Sequence, residues 1–294
     1  MRSPDQVLVT GGNGRLGRAL SSAGAKTLAR DALDITDRDS IRAALDHYQP
    51  SLVINAAAYT NVEEAESNTE AAFEINGAGA GNVATVCAEA GVPLIHISTD
   101  YIFGDGSPDA PLKEDANPDP LSVYGESKLA GERAVSGAGD NATTIVRVSW
   151  LYDGGPDTFI DKMLKLGSQR DEMMVVDDAT GRPTAVCDLT PILLKLGTRI
   201  LSGDGIPHLL HIGSPEPVSR CDWASEIFEE SKKLGGPFPS LSRCTSDAFP
   251  TKVRHPLGLV LDTSLADGLL GPMPSWRQAT VDAVRGRLNQ QAGA

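Results

Sequence analysis

The stretch Val7-Leu8-Val9-Thr10-Gly11-Gly12-Asn13-Gly14-Arg15-Leu16-Gly17 decides how the rest of the chain is read. A short apolar run enters a turn with glycines at 11, 14 and 17, and helical spacing follows from Arg18 to Ala23. Such a turn needs a residue without Cβ where the backbone approaches a pyrophosphate. A later glycine lets the helix pack close to the sheet, and the helix N-terminus supplies unpaired N–H groups and a positive field. Glycine triplets alone are a weak signal. Strand, turn and helix together within the first 23 residues are the context a dinucleotide-binding turn requires. Gly11, Asn13, Gly14, Arg15, Leu16 and Gly17 are therefore expected to contact a cofactor.

Outward from this turn, apolar runs alternate with helical spacing. Lys26–Ala29, Leu52–Ala58, Pro93–Ser98 and Ala142–Val148 read as strands, and Asp39–His47, Glu63–Ala90 and Ser122–Val135 as helices. The strand runs are continuous rather than alternating, as in parallel strands covered on both faces. An α/β fold is expected, a Rossmann-type doubly wound parallel sheet. After about residue 150 glycine and proline become frequent, Pro191 among them. Short strands are expected at Met174–Val176 and His208–Ile212, and helices at Asp222–Lys233 and Trp276–Leu288. Residues 1–150 would then be mainly the NAD(P)-binding domain. Residues 151–294 would be mainly a smaller C-terminal α/β substrate-binding lobe, with the chain free to cross back to the first domain.

The 294 residues carry 39 acidic and 26 basic side chains, a formal charge of −13. An acidic surface argues against nucleic acid as partner but leaves room for a local positive field in a site. No stretch reaches the length of a membrane span, and the start MRSPDQ carries no apolar signal core, so a cytoplasmic protein is expected. Cys87, Cys187, Cys221 and Cys244 are far apart, and the five histidines lack ligand spacing, so no metal site is expected.

Asp31 lies 31 − 11 = 20 residues after Gly11, where a carboxylate suits the adenosine ribose of NADH. Arg30 beside it and Arg15 inside the turn offer charge to a 2′-phosphate, which favours NADPH; the sequence supports both. Asp34 and Ile35 are candidates for the adenine pocket. Ser98-Thr99-Asp100-Tyr101 ends a strand, and ligands of doubly wound sheets sit beyond such ends. Tyr124 and Lys128, four residues apart, share one face of a helix. Carbonyl reduction needs a hydride at carbon and a proton at oxygen. Here Tyr124 would deliver the proton, the Lys128 ammonium would favour the phenolate and hold the cofactor ribose, and Thr99 would donate to the developing alkoxide.

With these residues in place the chain resembles the extended short-chain dehydrogenase/reductases, and more narrowly the dTDP-4-dehydrorhamnose reductase family. The resemblance runs through VTGGNGRLG (9–17), LDITD (33–37), VINAAAYTNVEEAE (53–66), HISTDYIF (96–103) and VYGESKLAGE (123–132). It continues through VRVSWLY (146–152), DDATGRPT (177–184) and VRHPLGLVLDTS (253–264). It implies Thr99, Tyr124 and Lys128 as the catalytic trio, with Asn76 supporting the proton path. It places Ala56, Ala57, Ala58 and Tyr59 along the cofactor, and Asp100, Tyr101 and Trp150 around the sugar. Arg182 and Arg254 would lie near the nucleotide.

The reaction implied is NAD(P)H-dependent reduction of dTDP-4-dehydro-L-rhamnose to dTDP-L-rhamnose. The alternatives are reduction of another dTDP-4-keto-deoxysugar and a non-catalytic regulatory subunit that keeps the cofactor fold. Three departures from the family pattern stand out. Phe103-Gly104-Asp105-Gly106 replaces Phe-Asp-Gly, and His255 replaces an arginine. Ala185-Val186-Cys187 stands where some members hold magnesium with a glutamate, and Asp188 is one helix position around. A magnesium-bridged dimer is not expected, and a monomer or weak homodimer is. Trp223 and Trp276 are expected in the core, and His96 as a packed, hydrogen-bonded histidine.

Overall fold

The computed structural model describes residues 7–139 and 142–292; residues 1–6, which carry the expectation of no leader, lie outside them. The first half builds β1 (Val7–Thr10), α1 (Arg15–Ser22), β2 (Lys26–Leu28), α2 (Arg38–Tyr48), β3 (Leu52–Asn55), α3 (Val62–Ala65) and α4 (Thr69–Phe73). A π-turn at Glu74–Gly79 leads into α5 (Ala80–Glu89), followed by β4 (Leu94–Thr99), α6 (Val123–Ser136) and β5 (Thr143–Val148). The second half adds β6 (Leu151–Tyr152), α7 (Phe159–Gly167), β7 (Glu172–Val176), β8 (Thr180–Gly181), β9 (Thr184–Ala185) and α8 (Val186–Leu201). It ends with β10 (Leu209–His211), β11 (Val218–Ser219), α9 (Arg220–Lys233), β12 (Ser240–Cys244), α10 (Ser264–Leu270) and α11 (Trp276–Ala292).

Six strands pair in parallel in the order β10-β5-β4-β3-β1-β2. Both faces are covered. On one, Leu16 and Leu20 of α1 join Leu189, Leu193 and Leu196 of α8 over Ile54, Ile95 and Val146. On the other, Ile41, Val83, Cys87 and Val135 cover Leu8, Val53 and Leu94. This is the doubly wound Rossmann-type sheet. β3 and β2 flank β1 on opposite sides, so the strand order switches there and a crevice opens beyond the strand ends.

The chain crosses back into this sheet through α8 and β10, and sequence reading missed α8 because of Pro191. A proline in a helix interior costs about 3 kcal/mol. Leu189, Leu193, Leu196 and Ile200 fall on one face of α8 and are buried, each contributing roughly 1.5–3 kcal/mol. Burial wins, and the helix runs through the proline.

The remaining elements form a smaller lobe in which β7 pairs with β12 and β8 with β11, while α7, α9 and α11 pack on one another. Its core holds Trp223 and Trp276. The Trp223 indole N–H donates to Thr280 and the Tyr152 hydroxyl to the Trp276 carbonyl. All four cysteines are free thiols. Among the described residues no helix is long and apolar enough to cross a membrane.

Helix α6 carries the residues of greatest interest, and glycine sets its seat. A Cβ at Gly131 would collide with the Asn76 carbonyl oxygen, so α6 lies directly against the π-turn. Gly286 in α11, by contrast, has nothing within 4 Å of where its Cβ would stand. Glycine-to-alanine changes inside helices ordinarily stabilise by about 0.5–1 kcal/mol. Gly286→Ala is expected to do so, whereas Gly131→Ala should destabilise by about 1–3 kcal/mol through overpacking. Urea midpoints at unchanged slope check both signs.

Candidate active site

The crevice beyond the strand ends is a cleft of about 640 Å³ that runs from the glycine turn to α6 and Trp150. At its first end, Gly11 has φ +72°, and a Cβ there would stand 2.7 Å from the Ala57 nitrogen. A Cβ on Gly17 would meet the Gly11 carbonyl. Helices α2, α6, α7 and α9 are capped by side chains of Asp37, Ser122, Thr158 and Ser219, but α1 starts at Gly14 with no side-chain cap and no acidic residue in its first turn. Its N–H groups and dipole are left for an anion. This cradle fits a dinucleotide pyrophosphate.

Gly11, Asn13, Gly14, Arg15, Leu16, Gly17, Arg30, Asp34, Ile35, Ala56, Ala57, Ala58 and Tyr59 all line the cleft. Asp31 does not: it is exposed and outside it, while Arg30, itself largely exposed, lines the edge of the cleft. Asp34 takes the inward carboxylate place. Its oxygens accept from the Thr36 backbone N–H (2.9 Å) and hydroxyl (2.8 Å) and pair with Arg30 (3.3 Å). The Thr36 backbone bond leads in holding its carboxyl below the usual range. Arg15 pairs with Asp153 at 3.4 Å and donates to the Pro156 carbonyl.

At the second end the structure brings Thr99, Asp100, Tyr101, Tyr124, Lys128 and Trp150 together. Thr99 sits at the tip of β4, and its hydroxyl contacts the Asp100 carboxyl at 3.1 Å. Tyr124 and Lys128 lie one turn apart on α6. Burial pushes the Tyr124 phenol up, opposed by a hydrogen bond with Thr99. Lys128 is not among the groups that shift the Tyr124 phenol in this state. The Lys128 ammonium donates to the Ile97 carbonyl at 2.8 Å, and burial brings it down to about 8, opposed by the charge of Glu132.

Asn76 stays out of the cleft. From the π-turn its side chain accepts from the Tyr59 N–H (2.8 Å) and donates to the Tyr59 carbonyl (3.0 Å) and the Ser127 hydroxyl (2.9 Å). It thereby ties the cofactor side of the cleft to α6. Behind Lys128, Glu132 accepts from Ser98 at 2.5 Å and from Arg147 at 2.8 Å, all three buried. Arg147 also donates to the Glu114 carbonyl and to His211. His96 contacts Asn55 through Nδ1 at 3.1 Å, while its buried Nε2 has no partner among the described residues.

Arg182 is not in the cleft. It is buried, and its guanidinium donates to the carbonyls of Leu261, Ser214 and Pro215, binding three loop segments together. Arg254 is also outside, in an exposed pair with Asp105 at 2.6 Å. That pair, with the Leu257 N–H on Asp105, fastens the unusual 103–106 loop to the chain near residue 255. His255 contacts the Tyr101 hydroxyl at 3.0 Å and Glu63 at 3.3 Å. Sequence reasoning missed Arg220, which does line the cleft, packed over the Trp150 ring with its charge centre 3.4 Å from the ring centroid. No sequence motif marks it, because the contact joins two distant segments.

A family model described as RmlD substrate binding domain matches residues 5–288. A dTDP-4-dehydrorhamnose reductase of Streptomyces griseus is 38% identical over 287 residues, covering 94% of this chain and 92% of the relative. A dTDP-4-keto-6-deoxy-D-glucose reductase of Streptomyces niveus is 41% identical over 205 residues, 68% of this chain and 71% of that one. A solved dTDP-4-dehydrorhamnose reductase from Bacillus anthracis, in complex with NADP, superposes with a TM-score of 0.84 at 30% identity, covering 93% of this chain and 96% of that one. With a glycine cradle at one end of the cleft, a Thr–Tyr–Lys group at the other and similarity along nearly its whole length, the chain belongs to the dTDP-4-dehydrorhamnose reductase family.

Proposed function

We propose that the chain is an NAD(P)H-dependent nucleotide-sugar ketoreductase that converts dTDP-4-dehydro-L-rhamnose to dTDP-L-rhamnose. The observation that carries this reading is the convergence of Thr99, Tyr124 and Lys128 at one end of a cleft whose other end is a pyrophosphate cradle. A bound nicotinamide supplies the hydride for the keto carbon. The Tyr124 O–H bond breaks and its proton goes to the keto oxygen, giving the alcohol. A buried phenol pushed upward stays protonated at neutral pH, which is the state a proton donor needs. The Thr99 hydroxyl hydrogen-bonds the same oxygen as charge develops. Lys128, one helical turn away, stabilises the phenolate left behind. Free cysteine thiols suit a reducing cytoplasmic setting.

Arg30 inside the cleft and Asp31 outside it favour NADPH over NADH, since the guanidinium suits a 2′-phosphate. A second reading, reduction of dTDP-4-keto-6-deoxy-D-glucose, is supported by the Streptomyces niveus relative and by the altered 103–106 loop. Supplying dTDP-glucose through the upstream dehydratase, with and without the epimerase, separates them. NADPH oxidation that requires the epimerase and yields dTDP-L-rhamnose supports the first reading, and oxidation without it supports the second.

Tyr124→Phe should lower turnover by about 10²–10⁴-fold while cofactor binding stays within about twofold; single-turnover kinetics with a fluorescence titration checks both. Arg30→Ala should raise the KM for NADPH about tenfold and leave that for NADH nearly unchanged. Asp100 gives a pH test. Burial pushes its carboxyl up from 3.8 to about 7, against the Thr99 hydrogen bond and the charge of Arg220. Between those values the folded state keeps a proton that the unfolded state has lost, so stability falls as pH rises. Asp100→Asn removes this loss. Its stability relative to the wild type should grow from pH 4 to pH 7 and level off above; a gap independent of pH in urea melts overturns it.

A further inference from the structure

Four basic residues line the cleft, and three have work already. Arg15 is paired with Asp153, Arg30 with Asp34, and Lys128 donates to the Ile97 carbonyl. The fourth, Arg220, sits at the catalytic end, half-buried, and its guanidinium N–H groups have no acceptor among the described residues. Apart from the bonds within helix α9, the hydrogen bond it makes among the described residues is from its backbone N–H to the Ala179 carbonyl.

The guanidinium is held by its face. Its charge centre lies 3.4 Å from the Trp150 ring centroid and 4.9 Å from that of Phe159. Trp150 is fixed in turn. It stacks on Trp223 at 5.9 Å and 16°, and it packs on Gly181, where a Cβ would stand 2.5 Å from the indole. A guanidinium carries its N–H groups in its own plane, so stacking covers the face and leaves the edge donors free. That edge matches a phosphate bidentately. A desolvated cation without acceptors is unfavourable, and a ligand oxyanion relieves the cost. Burial lowers Arg220 to about 10, which leaves it charged at neutral pH.

We propose that Arg220, held flat on Trp150, captures the diphosphate of the nucleotide-sugar substrate. The assignment rests on the ketoreductase reading and adds the anchor that reading lacks. The cofactor pyrophosphate has the α1 N-terminus and glycine cradle at the far end of the cleft. Arg220 packs on Trp150 within electrostatic reach of Asp100 and Tyr101, in the same end of the cleft as Tyr124. The two arginines expected near the nucleotide are occupied elsewhere, Arg182 by three carbonyls and Arg254 by Asp105.

The test is calorimetric titration of the full chain with thymidine diphosphate and with thymidine, plus a fluorescence titration with NADPH, for wild type, Arg220→Gln and Arg220→Lys. Arg220→Gln should weaken thymidine diphosphate about 10–100-fold while thymidine and NADPH binding stay unchanged. Arg220→Lys keeps the charge without the fork, and should show a smaller loss confined to the same ligand; it serves alone if the glutamine variant does not fold. Unchanged thymidine diphosphate binding overturns the proposal, as does a parallel loss of NADPH binding, which would assign Arg220 to the cofactor. The titrations need no turnover. A wild type that binds no thymidine diphosphate rejects the nucleotide-sugar reading itself, whereas binding that ignores Arg220 rejects only this assignment.

Discussion

A buried ion pair stands behind the helix that carries Tyr124 and Lys128, and the shape of the candidate site depends on its being complete. Glu132 and Arg147 meet at 2.8 Å with both side chains almost fully buried. Removing one partner of such a pair costs about 3–5 kcal/mol, because the other charge stays buried alone. Here the hydrogen-bonding capacity is widely used. Ser98 of β4 donates to Glu132, and Arg147 of β5 reaches the Glu114 carbonyl and His211 of β10. The His211 Nδ1 faces the Leu112 carbonyl, so its Nε2 is the acceptor for Arg147, and burial together with the Arg147 charge pushes its imidazole down to about 3. One network therefore joins α6, three adjacent strands and the loop near residue 112. Tyr124, Lys128 and Glu132 are successive turns of the same α6 face, so the pair fixes the height at which Tyr124 and Lys128 meet the sheet.

The field inside the cleft runs against that of the whole molecule. The chain carries −13 overall, yet the cleft lining holds four basic residues and two acidic ones, Asp34 and Asp100. Asp34 is neutralised by Arg30 and the Thr36 donors. Within the cleft, low dielectric and the open α1 terminus strengthen the positive side of this balance.

What the sequence revealed follows from how local each cause is. The glycine turn and the continuous apolar strands are set by neighbours within a few residues, and the observed elements fall close to their expected places. Thr99 and the Tyr124–Lys128 spacing were legible for the same reason: a strand end and one helical turn place them. Helix α8 was not legible, because Pro191 argues against a helix locally and only the sheet face that receives Leu189, Leu193 and Leu196 outweighs it. Asp31 and Arg30 are adjacent and both exposed, and which one lines the cleft is decided by the path of the chain after β2. Arg182 sits in a conspicuous motif and Arg220 in none. Their places were set by carbonyls and an indole supplied from far along the chain.

The return of the chain through α8 and β10 also bears on how the protein is made. When β5 leaves the ribosome its outer edge has no partner, and β10 begins about sixty residues later. The apolar face of the sheet that α8 covers, including Ile54, Ile95 and Val146, is bare over much of the same interval. At about 5–20 residues per second, translation takes several seconds to close that gap. Over that interval β5 is an unpaired edge, the feature that lets a strand pair with another chain, so the exposure is set by elongation speed as well as by the final fold.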